Sequence, residues 1–493
     1  MRSSWLRLFA VLMAFGLIAA ACGSDSDSGD SASVDAAEDA RAAAEAAQAE
    51  AEAALEEAEA RAAEAEAAAE AAAGGDSTPA DDRPFVGEIV RVSGPERSPE
   101  DWESLEVAFD VLEERTGMTI IYTGSADWES EINVQLAAGN PPDISIFPQP
   151  GKLADFARDD LILPLPDDVM AEVEANWGAG AIGFGTVDGV QFGVPNKNDL
   201  KSLVWYKPAV FEANGWAIPQ TWDEFIALTD TIIASGEMAP LCVGIESGTA
   251  TGWTFTDWVE DMMLRFQGPE VYDQWVTNEV KFSDPGVQEV FQTIIDLWNK
   301  EGAVYASGGS IAATPFAAGN AEALIDEQCA MVRQASFFSG FLPDGTSDQV
   351  SVFYFPALTA DERPVLGAGT LAGAFTDSPA VWEVMKYFAT PEYANVRQAK
   401  IKELKTEEGQ DESMTLSGFN TANLNVDREL WAPLEQGFIE ILQNAAVFRF
   451  DGSDLMPADV GAGTFWTEST ALVNGEKTVA EATEAIDASW PSE

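Results

Sequence analysis

The sequence lacks histidine entirely. Histidine is the usual general base near neutral pH, a member of the common catalytic triads and the commonest zinc ligand. Its absence therefore excludes the usual nucleophilic triads and histidine-based zinc sites. We expect a protein that is not an enzyme and that uses no cofactor and no metal.

Basic residues are also scarce. There are 26 lysines and arginines against 84 aspartates and glutamates, which gives a formal net charge of −58. A surface with this charge repels nucleic acid and anionic small molecules, so both are poor candidates for ligands. A neutral or cationic ligand is favoured.

The hydrophobic run at the N-terminus is too short for a membrane span. Leu8–Ile18 is almost purely apolar, whereas a spanning helix needs roughly 20 residues. Arg2 and Arg7 precede the run and three alanines follow it, which is typical of an export signal. The sequence therefore predicts a signal peptide over residues 1–21 and an exported protein.

A single cysteine, Cys22, stands at the predicted cleavage point. It resembles the lipobox of bacterial lipoproteins, although Ala19 occupies the position where that motif prefers leucine. The resemblance implies that Cys22 carries lipid and anchors the protein to the outer face of the cell membrane, since two acyl chains hold a protein stably. Ordinary secretion with an incidental cysteine is the alternative.

An extended spacer follows the anchor. Residues 22–34 are rich in serine and aspartate and are expected to form a disordered tether. Residues 35–73 are dominated by alanine and glutamate, the composition of a strong helix former, and a linker over 74–85 begins with two glycines. The helix is either a single-helix spacer or a coiled coil through which the protein self-associates.

Only two cysteines follow the anchor, Cys242 and Cys329. Exported proteins fold in an oxidising compartment, so these two thiols are expected to form a disulfide. Two separately buried thiols are the alternative.

The remaining part, from about residue 86, is long enough for two lobes. Predicted strands at 88–92, 118–122 and 143–147 alternate with amphipathic helices, which indicates an α/β fold with a largely parallel sheet. Such sheets bind ligands at the carboxyl ends of their strands. That rule points to Ser93–Arg97 and Phe147–Pro150.

Local signals in the second half continue the same pattern. Val187–Val190 contains Asp-Gly and predicts a hairpin turn. Thr221–Glu224 has the pattern of a capping box, and Asp284 followed by proline predicts another helix start.

Many stretches resemble the extracellular solute-binding proteins of bacterial carbohydrate ABC transporters, the maltose-binding-like family. Its recurring elements occur in family order across nearly all of residues 86–491; they are Ala137–Ile144, Leu203–Tyr206, Thr221–Phe225, Phe316–Ala321, Thr464–Trp466 and Glu484–Trp490. Longer strings are similar to its α-glucoside-binding branch; they are Glu246–Trp253, Thr256–Asp261, Gly268–Trp275 and Phe448–Pro457. The pair of cysteines belongs to that branch as well.

The resemblance implies a two-lobed periplasmic-binding-protein fold of type II. Lobe 1 would comprise residues 86–196 and 369–418, and lobe 2 residues 199–366 and 424–491. Hinges would lie near Pro195–Asp199, Leu366–Gly369 and Ser417–Asn423, whose Gly, Asn and Pro content suits backbone rotation. The implied function is capture of a neutral oligosaccharide, of the maltose or trehalose type, and its delivery to an ABC permease.

The chemistry of a sugar suggests which side chains would bind it. Aromatic rings stack on the apolar sugar faces, and charged or amide groups bind the hydroxyls. Trp466 aligns with a sugar-stacking tryptophan of the family, and Trp253 lies in a glycine-rich loop, whereas Trp298 lies on a helical core stripe and is expected to be structural. The other candidates are polar groups for hydroxyls, aromatic residues near predicted strand ends and two hinge residues: Glu96, Arg97, Phe147, Gln149, Asn198, Lys201, Glu246, Gln334, Phe337, Phe338, Gly369, Thr370, Asp451 and Asp454.

Three other functions are weighed against sugar capture. The first is a receptor for another neutral solute on the same fold. The second is a glycoside hydrolase, in which Asp451 and Asp454 would form the acid and base pair. The third is an adhesin or structural lipoprotein that has no small-molecule ligand.

Overall fold

The computed structural model describes residues 82–361 and 363–491. The predicted signal peptide, Cys22, the tether, the Ala/Glu-rich helix and the linker as far as residue 81 lie outside the described residues. The strands are β1 Ile89–Gly94, β2 Thr119–Gly124, β3 Ile144–Phe147, β4 Thr186–Val187, β5 Val190–Gln191, β6 Val194–Leu200, β7 Leu203–Tyr206, β8 Ala239–Cys242, β9 Val304–Tyr305, β10 Cys329–Arg333, β11 Ser351–Tyr354, β12 Val365–Ala374 and β13 Phe448–Phe450.

The α-helices are α1 Pro99–Thr116, α2 Trp128–Ala137, α3 Pro150–Arg158, α4 Asp167–Asn176, α5 Ala179–Gly183, α6 Pro208–Asn214, α7 Trp222–Ser235, α8 Trp253–Phe266, α9 Pro269–Val276, α10 Pro285–Trp298, α11 Ala318–Ile325, α12 Pro379–Ala389, α13 Pro391–Lys405, α14 Pro433–Asn444, α15 Gly452–Leu455, α16 Trp466–Val473 and α17 Val479–Ser489. A π-helical turn, Val460–Phe465, leads into α16. None of the helices in the described ranges is long and apolar enough to cross a membrane.

The predicted strand and helix alternation at the start of the described chain is confirmed. The Ser98 hydroxyl accepts a hydrogen bond from the Asp101 amide and caps α1, and Gly117, at φ +81°, ends the helix in a conformation that favours glycine. β2 and β3 both pair with β1 in parallel. Their carboxyl ends therefore meet at one edge of the sheet.

Both large sheets combine the predicted parallel pairs with antiparallel ones. In the first sheet, of order β13-β12-β3-β1-β2 with β6 paired to β12, the strand β12 runs antiparallel to β3 and β6. In the second sheet, of order β11-β7-β10-β8-β9, the strand β7 runs antiparallel to both of its neighbours. These antiparallel strands are not joined to their partners by right-handed βαβ crossovers, which produce parallel pairs.

Each sheet is covered by helices over its own apolar cluster. Phe109 and Phe388 meet edge to face, with ring centroids 5.9 Å apart, in the cluster beneath the first sheet. The largest cluster lies against the second sheet. In it Trp298 packs on Phe255, with ring centroids 5.3 Å apart. Trp298 is therefore a structural residue, as predicted. The two sheets thus have separate cores, linked where β6 runs into β7 and where β11 is followed by β12.

Two of the local turn and cap predictions are confirmed, and one is confirmed in part. Val187 and Val190 pair across the predicted hairpin, and the Asp284 carboxylate accepts from the Gly286 amide at the start of α10. The Thr221 hydroxyl accepts from the Glu224 amide. In a complete capping box the Glu224 carboxylate would accept from the amide of Thr221. Here it accepts from the amide of Gln220, the preceding residue.

The predicted disulfide between Cys242 and Cys329 is present. It joins β8 to β10, which are parallel neighbours in the second sheet, and it closes a loop over a sequence separation of 87 residues. The bond therefore restricts the unfolded chain more than it changes the folded sheet.

Replacing both cysteines with alanine is expected to lower the free energy of unfolding by about 2–4 kcal/mol, because the unfolded chain regains the freedom of the open loop. Chemical denaturation of the purified protein measures this loss. Reduction of the native protein is the matched control and should give the same loss. A difference well below about 1 kcal/mol in both experiments would contradict the prediction.

Candidate functional site

A cavity of about 400 Å³ lies where segments from the two sheets meet. The loops that follow β1 and β3 form one side, through Pro95, Glu96, Arg97, Pro148 and Gln149. This is the carboxyl edge that the sequence pattern indicates as a ligand site. Residues of the paired strands β6 and β12 form the base of the cavity.

The opposite side is aromatic. Trp253, at the start of α8, has its ring centroid 4.8 Å from that of Phe316 and 6.0 Å from that of Phe337. Phe341 adds a fourth ring, 5.5 Å from Phe316. These residues line the cavity together with Trp466, so the site offers several apolar faces.

The Trp466 side of the cavity depends on a close backbone approach. Gly252 has φ +113°, and a Cβ atom there would lie 2.3 Å from the carbonyl oxygen of Trp466. The Thr470 hydroxyl of α16 also donates to the Thr251 carbonyl at 3.2 Å. The glycine-rich loop before α8 therefore packs against the start of α16 and brings the two tryptophans to one cavity.

Several polar groups on the cavity wall have no hydrogen-bond partner among the described residues. Gln149 Oε1 and Trp466 Nε1 are both buried and unpaired. Asp454 is 9% exposed and lines the cavity; its amide donates to Asp451, but no described group donates to its carboxylate. Because buried polar atoms are almost always paired in folded proteins, a donor and two acceptors without partners indicate a place for a polar ligand.

A buried network of charges supports the base of the cavity. The Lys201 ammonium group contacts Asp257 at 2.8 Å and also bonds Asp451. Arg333 bridges Asp257 at 3.2 Å and Asp261 at 3.0 Å. Asp257 and Asp261 lie one turn apart on α8, so both carboxylates are on the buried face of this helix. There they contact Lys201, between β6 and β7, and Arg333, on β10.

The network shifts the pKa values of its members in opposite directions. Burial raises the pKa of Asp257 to about 7, against the opposing charge of Lys201. Burial also acts on Asp451, but Lys201 and several hydrogen bonds hold the pKa of Asp451 well below its usual value. Burial and the charge of Asp451 raise the pKa of Asp454 well above its usual range. The two predicted carboxylates thus differ: one is fixed in an ion pair, and the other is unpaired in the cavity.

The carboxylate oxygens of Asp257, Glu260 and Asp451 lie within 4.8 Å of one another, a spacing that suits a metal ion. The Lys201 ammonium bonds two of these carboxylates. The third, Glu260, accepts from the amides of Gly452 at 2.8 Å and Ser453 at 3.2 Å. The cluster is therefore satisfied by cationic and amide groups of the chain itself.

Most of the predicted ligand-binding residues come together in this cavity. Those that line it are Glu96, Arg97, Gln149, Lys201, Trp253, Phe337, Gly369, Thr370, Asp451, Asp454 and Trp466. Whether they bind ligand stays a prediction.

Five predicted residues lie outside the cavity lining. Phe147 packs on Trp128 at 5.3 Å and Phe338 on Trp205 at 5.5 Å, because each ring turns into a core. The Gln334 side chain accepts from the Ala335 amide, and Asn198 accepts from the Ala422 amide, so both oxygens are used by the backbone. Glu246 accepts from the Gly248 amide and shapes the loop before α8.

Several residues that line the cavity were not predicted as ligand-binding residues. Lys197 and Asp199 lie in the segment predicted as a hinge, and Phe316 lies in a recurring family element, so the sequence carried a signal for these three residues. Glu129 and Phe341 carried no such signal. Glu129 follows Trp128 on a helix whose apolar stripe gives no reason to place the next residue in a site.

Comparison with solved structures gives the same fold. The chain superposes on a chitin oligosaccharide binding protein with a TM-score of 0.66 at 20% identity, covering 81% of this chain and 97% of that one. It superposes on a maltose-bound MalE3 of T. maritima with a TM-score of 0.63 at 17% identity, covering 81% and 98%. The fold is therefore the two-lobed one of periplasmic solute-binding proteins, as predicted.

Comparison of sequences gives closer relatives. The chain is 37% identical over 423 residues to the alpha-glucosides-binding periplasmic protein AglE of Rhizobium meliloti (strain 1021), covering 82% of this chain and 88% of that protein. It is 35% identical over 403 residues to the osmoprotective compounds-binding protein GgtB of Synechocystis sp. (strain ATCC 27184 / PCC 6803 / Kazusa), covering 80% and 90%. The family model described as bacterial extracellular solute-binding protein matches residues 110–395. The chain therefore belongs to the family of bacterial extracellular solute-binding proteins.

Proposed function

We propose that this protein is the sugar receptor of an ABC transporter, which captures a neutral oligosaccharide of the α-glucoside class and delivers it to the permease subunits. The observation that carries the proposal is the cavity that joins aromatic faces to unpaired polar groups. Trp253 and Trp466 offer rings to the sugar faces, and Gln149 and Asp454 offer acceptors to its hydroxyls. The relative named for alpha-glucosides supports the class.

The proposed mechanism is closure of two lobes around the sugar. Lobe 1 comprises 86–196 and 369–418, and lobe 2 comprises 199–366 and 424–491. The separate cores of the two sheets support this division. The β6–β12 pairing, which runs from Gly367 and Leu200 through the base of the cavity, supports hinges near Pro195–Asp199 and Leu366–Gly369. The third hinge, near Ser417–Asn423, also borders the cavity.

Gly418 supports the assignment of the third hinge. It has φ +77°, and a Cβ atom there would lie 2.5 Å from the amide nitrogen of Gly340. The Ser417 and Gly418 amides both donate to the buried Glu435 carboxylate, at 2.8 and 2.9 Å. A glycine in this conformation, within a loop between elements, suits a segment that absorbs backbone rotation.

The N-terminal features complete the proposal. A signal peptide directs export, and lipid on Cys22 holds the receptor at the outer face of the cell membrane beside its permease. The Ala/Glu-rich helix over 35–73 spaces the receptor from the membrane or joins copies of it. Incorporation of labelled fatty acid, lost in Cys22→Ala, tests the anchor.

The function is a binding function rather than hydrolysis. A glycosidase needs one carboxyl group as acid and another as nucleophile or base beside the same bond. Here Asp451 is 1% exposed and is held by Lys201 and by the Ser453 hydroxyl. It is not free to attack a sugar, and the family relatives are named as binding proteins.

Calorimetric titration of the full-length protein with maltose, trehalose and related di- and trisaccharides tests the proposal. We expect one-site binding of at least one α-glucoside and a rise in melting temperature with sugar concentration. Product analysis after prolonged incubation is the control and should show the sugar intact. Sugar cleavage would support the hydrolase instead. Absence of affinity for every sugar would support an adhesin or structural lipoprotein, and binding of only a non-sugar solute would support the other receptor.

A further inference from the structure

The cavity is more acidic than a neutral ligand requires. Its lining carries seven aspartates and glutamates but only three cations, Arg97, Lys197 and Lys201. Lys201 is bound by Asp257 and Asp451, and Lys197 lies 3.6 Å from Asp199. Arg397, behind the lining, lies 3.5 Å from Asp101, and Arg97 is exposed at the cavity edge.

Two carboxylates from different parts of the fold lack an ion pair within the described chain. Glu129 lies in the first turn of α2, and Asp454 lies on α15. The nearest donor to the Glu129 carboxylate is the Gln149 amide at 3.4 Å, because the Lys152 ammonium binds the backbone carbonyl of Glu129 at 2.6 Å instead. The Asp454 carboxylate accepts no hydrogen bond from any described group although Asp454 is only 9% exposed.

The two groups line the same cavity. Burial raises the pKa of Glu129. For Asp454, burial and the charge of Asp451 raise the pKa, the charge of Lys201 opposes them, and Asp257 and Glu129 add smaller contributions that raise it. A cation placed beside a buried carboxylate that has no ion pair favours the charged form of that carboxylate.

The aromatic wall is compatible with a cation. The Lys201 ammonium lies 5.1 Å from the centroid of Trp253, and the Lys197 ammonium lies 5.4 Å from that of Phe337. Positive charge is therefore already held against these rings. An ammonium group that replaces one sugar hydroxyl keeps the size of the ligand while adding a charge and further donors.

We propose that the cavity takes amino sugars in preference to their neutral counterparts, with the ammonium group of the ligand bound between Glu129 and Asp454. The inference rests on the proposed sugar-binding function and narrows its ligand class. It also assigns Glu129 and Asp454 as the residues that set the preference. Sugar acids are rejected by the same two carboxylates.

Calorimetry of the full-length protein with three kinds of probe tests the inference: trehalose and maltose, their monoamino derivatives at C2 and C6, and the corresponding uronic acids. At low ionic strength at least one amino derivative is expected to bind about tenfold more tightly than its parent sugar. The uronic acids are expected to bind more weakly than the parent. The preference for the amino derivative should disappear in the Glu129→Gln/Asp454→Asn double variant.

Glu131→Gln is the matched control, because Glu131 is an exposed carboxylate on the same helix as Glu129. It should keep the full preference. Weaker binding of both amino derivatives than of the parent sugar, or an unchanged preference in the double variant, would overturn the inference while leaving the sugar receptor intact. If neither the neutral nor the amino sugars bind, the proposed function itself fails.

Discussion

Replacing Lys201 with methionine is expected to lower the free energy of unfolding by about 3–5 kcal/mol, because breaking a buried ion pair leaves a charge without compensation. The Lys201 side chain is 5% exposed, and those of its partners Asp257 and Asp451 are 1% and 2% exposed. Methionine fills the same space but offers no charge. Chemical denaturation of the sugar-free protein measures the loss.

The loss should depend on pH in a defined direction. Burial already raises the pKa of folded Asp257 to about 7, and removing Lys201 removes a charge that lowers it. Such a carboxyl group has a higher pKa in the folded state than in the unfolded state. Its contribution to stability is complete at pH values below the unfolded pKa. The contribution is lost as the pH rises through the folded pKa. The deficit of Lys201→Met is therefore smaller at pH 5 than at pH 8.

Lys207→Met is the matched control. Lys207 also pairs with a carboxylate, that of Glu327 at 2.8 Å, but the Glu327 side chain is 51% exposed. Its loss should cost about 1 kcal/mol or less. The double variant Lys201→Met/Asp451→Asn should lose less free energy of unfolding than the sum of the two single variants, because Asn removes the Asp451 charge that Lys201→Met leaves without a partner. Equal losses in Lys201→Met and Lys207→Met would contradict the assignment of a buried charge network.

The parts of the fold that were predicted correctly depend on local signals. The hairpin turn of Val187–Val190 and the helix start at Asp284 were predicted from adjacent residues, and neither requires knowledge of distant residues. The carboxyl edge of β1 and β3 followed from the alternation of strands and helices. For the same reason Glu96 and Gln149 were correctly placed at the cavity.

The charge network was not predicted, because its partners are distant in the sequence. Asp257 and Asp261 on α8 meet Lys201, which lies between β6 and β7, and Arg333, which lies on β10. A charged residue on a helix normally faces solvent, and nothing local in Thr256–Asp261 distinguishes an inward stripe from an outward one. Phe147 and Phe338 show the same limit for aromatic residues, since a strand end does not reveal which side of the sheet its ring will occupy.

Replacing Trp466 with alanine is expected to weaken binding of the preferred sugar by about 100-fold or more, since it removes both a stacking face and an indole donor. Trp466 lines the cavity, and its Nε1 has no partner within the described chain. Calorimetric titration with the tightest-binding sugar of the panel measures the loss. Trp466→Phe keeps an aromatic face without the N–H group and should lose about tenfold.

Stability separates the role of Trp466 from that of an ordinary core residue. Trp298 is also a buried tryptophan with an unpaired Nε1, but its ring packs on Phe255 and Trp258 in the largest apolar cluster. Trp298→Leu should therefore lower the melting temperature while leaving the sugar affinity unchanged, because Trp298 is not among the residues that line the cavity. Trp466 is 3% exposed, so Trp466→Ala is also expected to lower the melting temperature. Unlike Trp298→Leu, it should abolish the rise in melting temperature when sugar is added. Native affinity in Trp466→Ala would show that the sugar stacks on another ring of the aromatic wall.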